Sequence, residues 1–262
     1  MSRQVRCGLA LVALAALGAT LVAAVGGLEP FGHYPGPYGD VLAKVAPGER
    51  HEGQLVAATV LDYRGFDTLG EELILFTAAC GCVALLRLRR RERGSDLPAH
   101  QRPLPSFAAL AVGGALVGPV LVLAAYVVIH GHLTPGGGFS GGVIGAGALV
   151  LAYAAGQRVR LRRVGSIAML ETAEAIGAGG FAALALGGLL AVGATMQNFL
   201  PLGTSGMLLS AGTIPVGNLA IGIEVAGAVA LIVAEFLEQA LLEERPEADH
   251  SSQDAGLDAP RR

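Results

Sequence analysis

The sequence has few charged residues and no tryptophan. Only 15% of its 262 residues are charged, whereas 53% are hydrophobic and 39 are glycine. A soluble domain is normally about a quarter charged, so the composition argues against a soluble protein. In the absence of tryptophan, any aromatic belt at a membrane surface would consist of tyrosine and phenylalanine.

Cysteine and catalytic motifs are scarce as well. Cys7, Cys80 and Cys82 lie in apolar segments with no histidine or second cysteine pair at metal-ligand spacing. We interpret them as small buried hydrophobic residues and expect no metal and no cofactor. No activated serine, cysteine or histidine arrangement indicates an enzyme, and nucleic acid is not an expected partner.

Long apolar runs recur along the whole chain. About 20 helical residues are needed to cross a bilayer. Six segments predict an all-α, polytopic membrane protein: residues 5–28, 69–88, 107–129, 138–155, 169–194 and 214–237.

The first two loops and the first span need separate interpretation. The first apolar run exceeds the ~7–15 residues of a signal sequence, which favours a retained membrane helix over a cleaved peptide. Residues 29–53 contain four prolines and are interpreted as an exposed loop. Residues 55–61 are apolar but short, which indicates a turn at or partly inside the membrane surface.

The distribution of arginine predicts the topology. With the amino terminus inside, one side receives Arg3, Arg6, six arginines at 87–102 and four at 158–163. The other side receives few basic residues, among them Lys44, the only lysine of the chain. The positive-inside rule therefore places both termini in the cytoplasm of a multi-pass protein of the bacterial cell membrane.

A glycine-rich turn at residues 131–142 joins the third and fourth spans. Pro135 and the triplet Gly136, Gly137 and Gly138 predict a tight hairpin on the outer side. The lysine and hydroxyl residue of a phosphate-binding loop are missing. Gly141 and Gly145 have the spacing that lets membrane helices pack closely, which also leaves room for a partner helix or a water-filled crevice.

Ionisable residues inside spans are candidates for an ion pathway, because charge at the bilayer centre costs about 2.5–3.5 kcal/mol on insertion scales. Glu224 lies near the middle of the last span and is a proton-relay or cation-pathway candidate, or a hydrogen-bonded packing residue. Glu171 and Glu174 share a helical face and are candidates too. The alternative is that they only compensate the charge of the nearby Arg162 and Arg163. His130 and His132 flank the glycine turn and are candidates because histidine is the side chain whose ordinary pKa lies near neutral, although loop histidines exposed to water titrate there without a function.

A further charged cluster leads into the second span. Its candidates for the ion pathway are Asp62, Arg64, Asp67 and Glu71. Asp67 and Glu71 are four residues apart and share one side of a helix, with Arg64 as a counter-ion. The same residues also fit a helix start in which Asp67 or Thr68 is the N-cap.

These motifs carry a family resemblance. The glycine turn, residues 210–218 (Ser-Ala-Gly-Thr-Ile-Pro-Val-Gly-Asn) and residues 221–224 (Ile-Gly-Ile-Glu) resemble the B component of Mrp (Mnh) type Na+/H+ antiporters. Residues 61–71 (Leu-Asp-Tyr-Arg-Gly-Phe-Asp-Thr-Leu-Gly-Glu) are similar to the carboxy-terminal piece of the A component, and to a small component of membrane-bound hydrogenases. The resemblance divides the chain into residues 1–95, a four-helix B-like domain at 104–242, and a disordered acidic tail at 243–262.

The resemblance implies a subunit of a multisubunit cation/proton antiporter that is inactive alone. Its expected partners are the other antiporter subunits and membrane lipid, with Na+ and H+ as transported ions. Two alternatives remain open: a membrane subunit of a hydrogenase or another redox-driven pump, and a purely structural scaffold.

Overall fold

The computed structural model describes residues 3–28, 32, 36–93, 107–155 and 166–243. All regular elements in these ranges are helical, which confirms the all-α prediction. The predicted tail after residue 243, the arginines at 158–163 and most of the linker after residue 93 lie outside the described residues.

The helices alternate with short turns. The described elements are α1 (Arg3–Gly26), α2 (Pro37–Arg50), α3 (Leu55–Ala58) followed by a π-helical turn (Thr59–Tyr63), α4 (Gly65–Arg93), α5 (Phe107–Ile129), α6 (Gly138–Ala154), α7 (Ile167–Val192) and α8 (Ile214–Glu243).

Five of the described helices are long and apolar enough to cross a membrane. Their spanning segments are Cys7–Gly26, Gly65–Leu86, Leu110–Ile129, Ile167–Val192 and Ile214–Leu237. The predicted fourth span is the shorter apolar helix α6. The described chain is thus a polytopic membrane protein.

Two predictions about local structure are wrong. Residues 37–50 of the predicted loop form α2, in which Pro37 takes the first helical position, where its missing N–H costs nothing. Pro47 lies near the end of α2, so few intrahelical bonds are lost. The cysteines are not buried: Cys7 and Cys80 are exposed and Cys82 is half-buried.

The described chain divides into two units. Met1–Val41 is one unit, and its helix α1 buries none of its spanning residues within the chain. Leu42–Arg262 is the other unit, and it contains the helix bundle.

Helix α8 is the central element of the bundle. It packs against α4, α5, α6 and α7, and half of its spanning segment is buried, compared with about a fifth in α4, α5 and α7. Phe181 of α7, together with Ile221 and Val225 of α8 itself, is fully or almost fully buried at these contacts. Packing therefore constrains about half of the residues of its spanning segment.

Glycines allow the helices to approach α8 closely. A Cβ atom at Gly142 of α6 would lie 2.7 Å from the Cβ of Val225. One at Gly177 of α7 would lie 2.5 Å from the Cβ of Glu224 and 2.6 Å from the carbonyl oxygen of Ala220. Gly227 of α8 faces the backbone of Glu174 in the same way. Small residues at such crossings are typical of membrane helix packing.

We expect Gly177→Ala to lower the thermal stability of the protein in detergent, because the new methyl group meets the backbone of α8. Gly179→Ala is the matched control, since nothing lies within 4 Å of a Cβ there and alanine favours the helix by roughly 1 kcal/mol. Fluorescence-detected size-exclusion chromatography after heating measures both. Equal melting temperatures for the two variants would contradict the close crossing.

Candidate functional site

Four glutamates are buried in the spanning helices of the bundle, and one of them, Glu235, lies two residues before the end of its spanning segment. Glu72 of α4, Glu174 of α7 and Glu224 of α8 are 1%, 2% and 0% exposed. Both carboxylate oxygens of Glu72 and Glu224, and one of Glu174, have no hydrogen-bond donor beside them among the described residues. Unpaired buried carboxyls are costly in a bilayer, so their retention points to function.

Glu72 and Glu224 form a pair at the contact of α4 with α8. Their side chains lie close enough to share a hydrogen bond. Because a carboxylate can only accept, that bond exists only when one of the two carries a proton.

Glu174 extends this pair toward the other end of the bundle. It lies within electrostatic range of Glu224 on one side and Glu171 on the other. At 1.5 Å per residue, Glu72 is about 10 Å from the start of α4, Glu224 about 15 Å from the start of α8, and Glu174 about 10 Å from the start of α7. Because α7 runs antiparallel to α4 and α8, the three carboxyls lie at increasing distances from the end of the bundle at which α4 and α8 begin, in the order Glu72, Glu224 and Glu174. We call Glu72, Glu224 and Glu174 the carboxyl row.

Two further acidic residues lie near the lower end of the row. Glu171 is half-buried, one turn before Glu174 on α7. Glu235 is fully buried on α8, three turns after Glu224 and on the same helical face. Acidic side chains therefore follow most of the length of α8.

The spanning segments contain acidic but no basic side chains. The five spanning segments and α6 contain seven acidic residues, namely three in α4, two in α7 and two in α8, but no lysine, arginine or histidine. The buried carboxyls of Glu72, Glu174 and Glu224 therefore have no compensating basic side chain within these segments.

Sequence reasoning missed Glu72 and selected its neighbour Glu71. The buried stripe of α4 runs through Gly65, Thr68, Glu72 and Ala79, whereas Asp67 and Glu71 lie on an exposed face. Thr68 is not an N-cap: its hydroxyl donates to the carbonyl of Val60 across 2.6 Å. That hydrogen bond joins α4 to the π-helical turn.

The expected contact of Arg64 with Asp67 is present. Their side chains form an exposed ion pair within the first turn of α4. An exposed pair of this kind contributes little to stability. The structure therefore separates these two residues from the carboxyl row.

Arg50, Glu52 and Asp62 form a second acidic cluster at the loop end of the bundle, which is the end that holds residues 50–64, 130–137 and 193–213. Arg50 forms an ion pair with Asp62, and its guanidinium lies 4.9 Å from the ring centroid of Tyr63. Glu52 is 2% exposed, and neither of its carboxylate oxygens has a partner among the described residues.

Burial changes the acidity of this cluster. Burial, aided by the charge of Asp62, raises the pKa of Glu52 from 4.5 to about 8. Burial also raises the pKa of Asp62, against the opposing effect of Arg50 and of hydrogen bonding to Asn198. Asn198 is itself fixed, since it donates to Ala211 O and accepts from Thr213 N, both at 2.9 Å. Glu52 can thus gain or lose a proton near neutral pH.

The two histidines have different environments. His130 is half-buried, and its ring stacks on Tyr126 with 4.2 Å between ring centroids. His132 is fully buried, with Nε2 3.4 Å from the carbonyl oxygen of Met207. Burial lowers the pKa of His132, so it does not behave as the solvent-exposed loop histidine that its sequence position suggests.

The glycine turn is held against α8 by one side chain. Gly136 and Gly137 have φ angles of +155° and +130°, which other residues rarely adopt. The buried Asn218 accepts a hydrogen bond from the Gly138 N–H at 2.8 Å. A Cβ at Gly138 would lie 2.7 Å from that of Ile221. The turn is thus part of the packing of the bundle. Pro135 lies beyond the end of α5, and Gly145 makes ordinary contacts with Ala124 and Ala226.

Among the described residues, no group of three or more histidine, cysteine, aspartate or glutamate side chains could hold a metal ion. A glycine-packed bundle of apolar helices with buried carboxyls defines a polytopic membrane protein that carries ionisable groups inside its spans.

Comparison with known proteins identifies the family. Residues 110–231 match the family model described as "Domain related to MnhB subunit of Na+/H+ antiporter". An uncharacterized protein of Methanocaldococcus jannaschii is 30% identical over 193 residues, which cover 65% of this chain and 71% of that protein. The chain belongs to the MnhB-related family.

A second relative is a probable K+/H+ antiporter protein of Rhizobium meliloti whose name joins the A and B components. It is 31% identical over 121 residues, or 39% of this chain. This chain spans only 12% of the length of that protein.

Two solved structures share the fold. A chain of the membrane-bound sulfane sulfur reductase, an archaeal respiratory membrane complex, superposes with a TM-score of 0.68 at 30% identity, covering 89% of this chain and 98% of that chain. A chain of the Mrp complex from Dietzia sp. DQ12-45-1b superposes with a TM-score of 0.63 at 23% identity, covering 90% of this chain but 26% of that chain. The latter likeness concerns the fold alone.

We expect Glu52→Gln to reduce the pH dependence of stability. Between pH ~4.5 and ~8, folded Glu52 keeps a proton that the unfolded chain has lost, so the free energy of unfolding falls as pH rises, by up to about 1.4 kcal/mol per unit. Glu52→Gln has no such group, so its free energy of unfolding should not show this decrease. From pH 5 to pH 8, its melting temperature in detergent should therefore rise relative to that of the wild type. Parallel curves of melting temperature against pH for the two proteins would contradict the prediction.

Proposed function

We propose that this chain is a membrane subunit of a multisubunit cation/proton antiporter and that the carboxyl row forms part of its ion path. The observation that carries the proposal is the Glu72–Glu224 pair, which is buried in the bundle, and we propose that the two carboxyls share one proton. Glu174 and Glu171 continue the path toward the cytoplasmic side predicted from the arginine distribution.

The row has the chemistry that proton or cation transfer requires. Neighbouring carboxyls can pass a proton when one is charged and the next is protonated, and a small cation can replace the proton as the compensating charge. Asp62 and Glu52 lie at the loop end, beyond Glu72, and are proposed to form the outer entrance. His130, His132, Arg64 and Asp67 lie at the same end and are proposed to shape its electrostatics.

The family and its relatives support a transport role without fixing the ion. The family description refers to Na+ and the Rhizobium relative to K+; we propose Na+ as the coupled cation. The name of that relative joins the A and B components, which supports the proposal that residues 1–95 derive from an A-like piece and residues 104–242 from a B-like piece.

Glu224→Gln and Glu72→Gln are expected to lower cation/proton exchange by the assembled complex at least tenfold (~1.4 kcal/mol), because an amide cannot carry the shared proton. Exchange is measured by a pH-sensitive dye in everted membrane vesicles. Thr77→Val is the matched control, since Thr77 is exposed on α4 and its hydroxyl bonds only to its own helix, at Leu73 O.

Assembly of the complex must be followed in the same vesicles by co-purification. Retained assembly with lost exchange supports a pathway role. Full exchange in both glutamine variants would mean that the carboxyl row serves only in helix packing, and it would favour the alternative of a purely structural scaffold.

A second expectation concerns the isolated chain. The large antiporter subunits to which the resemblance refers carry lysine in broken helices, whereas Lys44 is the only lysine here and lies outside the spanning segments. Purified alone and reconstituted in liposomes, the chain should show no Na+/H+ exchange. Exchange above that of empty liposomes would contradict the assignment as an accessory subunit.

One observation favours a second function. The chain covers 98% of its counterpart in the sulfane sulfur reductase but 26% of its counterpart in the Mrp complex. The extent of the match therefore also fits a redox-driven respiratory pump. Co-purification with an iron–sulfur or nickel-containing protein would select this function, and co-purification with large antiporter subunits would select the first.

A further inference from the structure

Glu71 lies on the spanning helix α4 and, unlike Glu72, is exposed. It is six residues, or about 9 Å, inside the start of α4, and no hydrogen bond or ion pair engages it among the described residues. A carboxyl at this depth is rarely left facing lipid. A charge-compensating group for Glu71 must therefore come from outside the described residues.

The surroundings of Glu71 form an open groove of about 340 Å³. One wall is the π-helical turn with Val60, which is 41% exposed. The other is the start of α6 with Phe139, which is 45% exposed, and Ser140. Glu71 is the one ionisable residue of the lining, so the groove is an apolar slot with a single negative end.

A long basic side chain matches this groove. The methylene stem of lysine or arginine packs along apolar walls while its charged head meets a carboxylate. This chain cannot provide such a group from its own spans, because the spanning segments and α6 contain no lysine, arginine or histidine. The spans of a second copy of this chain would likewise contain no basic residue to pair with Glu71.

We propose that the groove between the π-helical turn and α6 is the docking site for a membrane helix of a partner protein that carries a basic residue paired with Glu71. The proposal rests on the proposed function insofar as that function requires a complex. It assigns Glu71 to assembly, whereas Glu72, the next residue, belongs to the ion path.

Photo-crosslinking in native membranes tests the occupant of the groove. Benzoylphenylalanine replaces Phe139 in the full-length chain within its complex. We expect a crosslink to a membrane helix that has a lysine, arginine or histidine within about one helical turn of the linked residue. Phe66 is the matched control, because it is 70% exposed on α4 but does not line the groove, and the same adduct should be absent there. A lipid adduct, a crosslink to a second copy of this chain, or a helix without a basic residue would overturn the proposal.

Charge reversal tests the pairing itself. Glu71→Lys should reduce the co-purified partner by roughly tenfold or more, because like charges across an interface strongly oppose association. Changing the basic residue found by crosslinking to glutamate should restore co-purification. An unchanged complex, or a failure of the double exchange to restore it, would overturn the pairing.

The outcomes separate this proposal from the proposed function. If Glu71→Lys leaves the complex intact while Glu224→Gln abolishes exchange, the docking site is wrong and the ion path stands. If the crosslink and the charge-reversal experiment give the expected results while the Glu224→Gln complex still exchanges cations and protons normally, the docking site is supported and the ion path is wrong.

Discussion

The crossing of α7 over α8 at Gly177 and Glu224 is the contact on which the bundle depends. A side chain at Gly177 would occupy the space of the Glu224 backbone and Cβ, and Gly227 makes the reciprocal contact with Glu174. The same two glycines that bring the helices together therefore bring the two carboxyls into electrostatic range. The close packing of α7 on α8 therefore also fixes the distance between the carboxyls of Glu174 and Glu224, and a substitution that changes the packing would change this distance.

The spans and the central carboxyl could be predicted from the sequence because their signals are local. Apolar runs of about 20 residues identify spanning helices regardless of their neighbours, and Glu224 is conspicuous as a charge within such a run. The glycine turn was identifiable for a similar reason, since Gly136 and Gly137 have backbone angles that the sequence pattern indicates.

The partners of Glu224 could not be predicted because they depend on which face of each helix is buried. Glu71 and Glu72 are adjacent, and only the packing of Thr68 and Ala79 against the bundle turns Glu72 inward. His132 has the sequence context of a loop histidine, but the loop that contains Met207 covers it. Helix α2 was missed because the four prolines of residues 29–53 suggested a loop, although Pro37 occupies the position that a helix tolerates.

Three residues other than glycine have positive φ angles at the loop end: His51, Met196 and Ala211, at +51°, +63° and +67°. Each such conformation costs about 1–3 kcal/mol and persists only where its surroundings fix it. His51 Nδ1 lies 2.6 Å from Gly203 O, and the Ala211 N–H donates to Leu202 O at 2.9 Å. The backbone of the loop end is thus held at His51 and Ala211 by specific contacts. If the carboxyl row is the proposed ion path, entry from this side depends on the rearrangement of side chains and water around this backbone, so its speed would be set by local wetting of the passage.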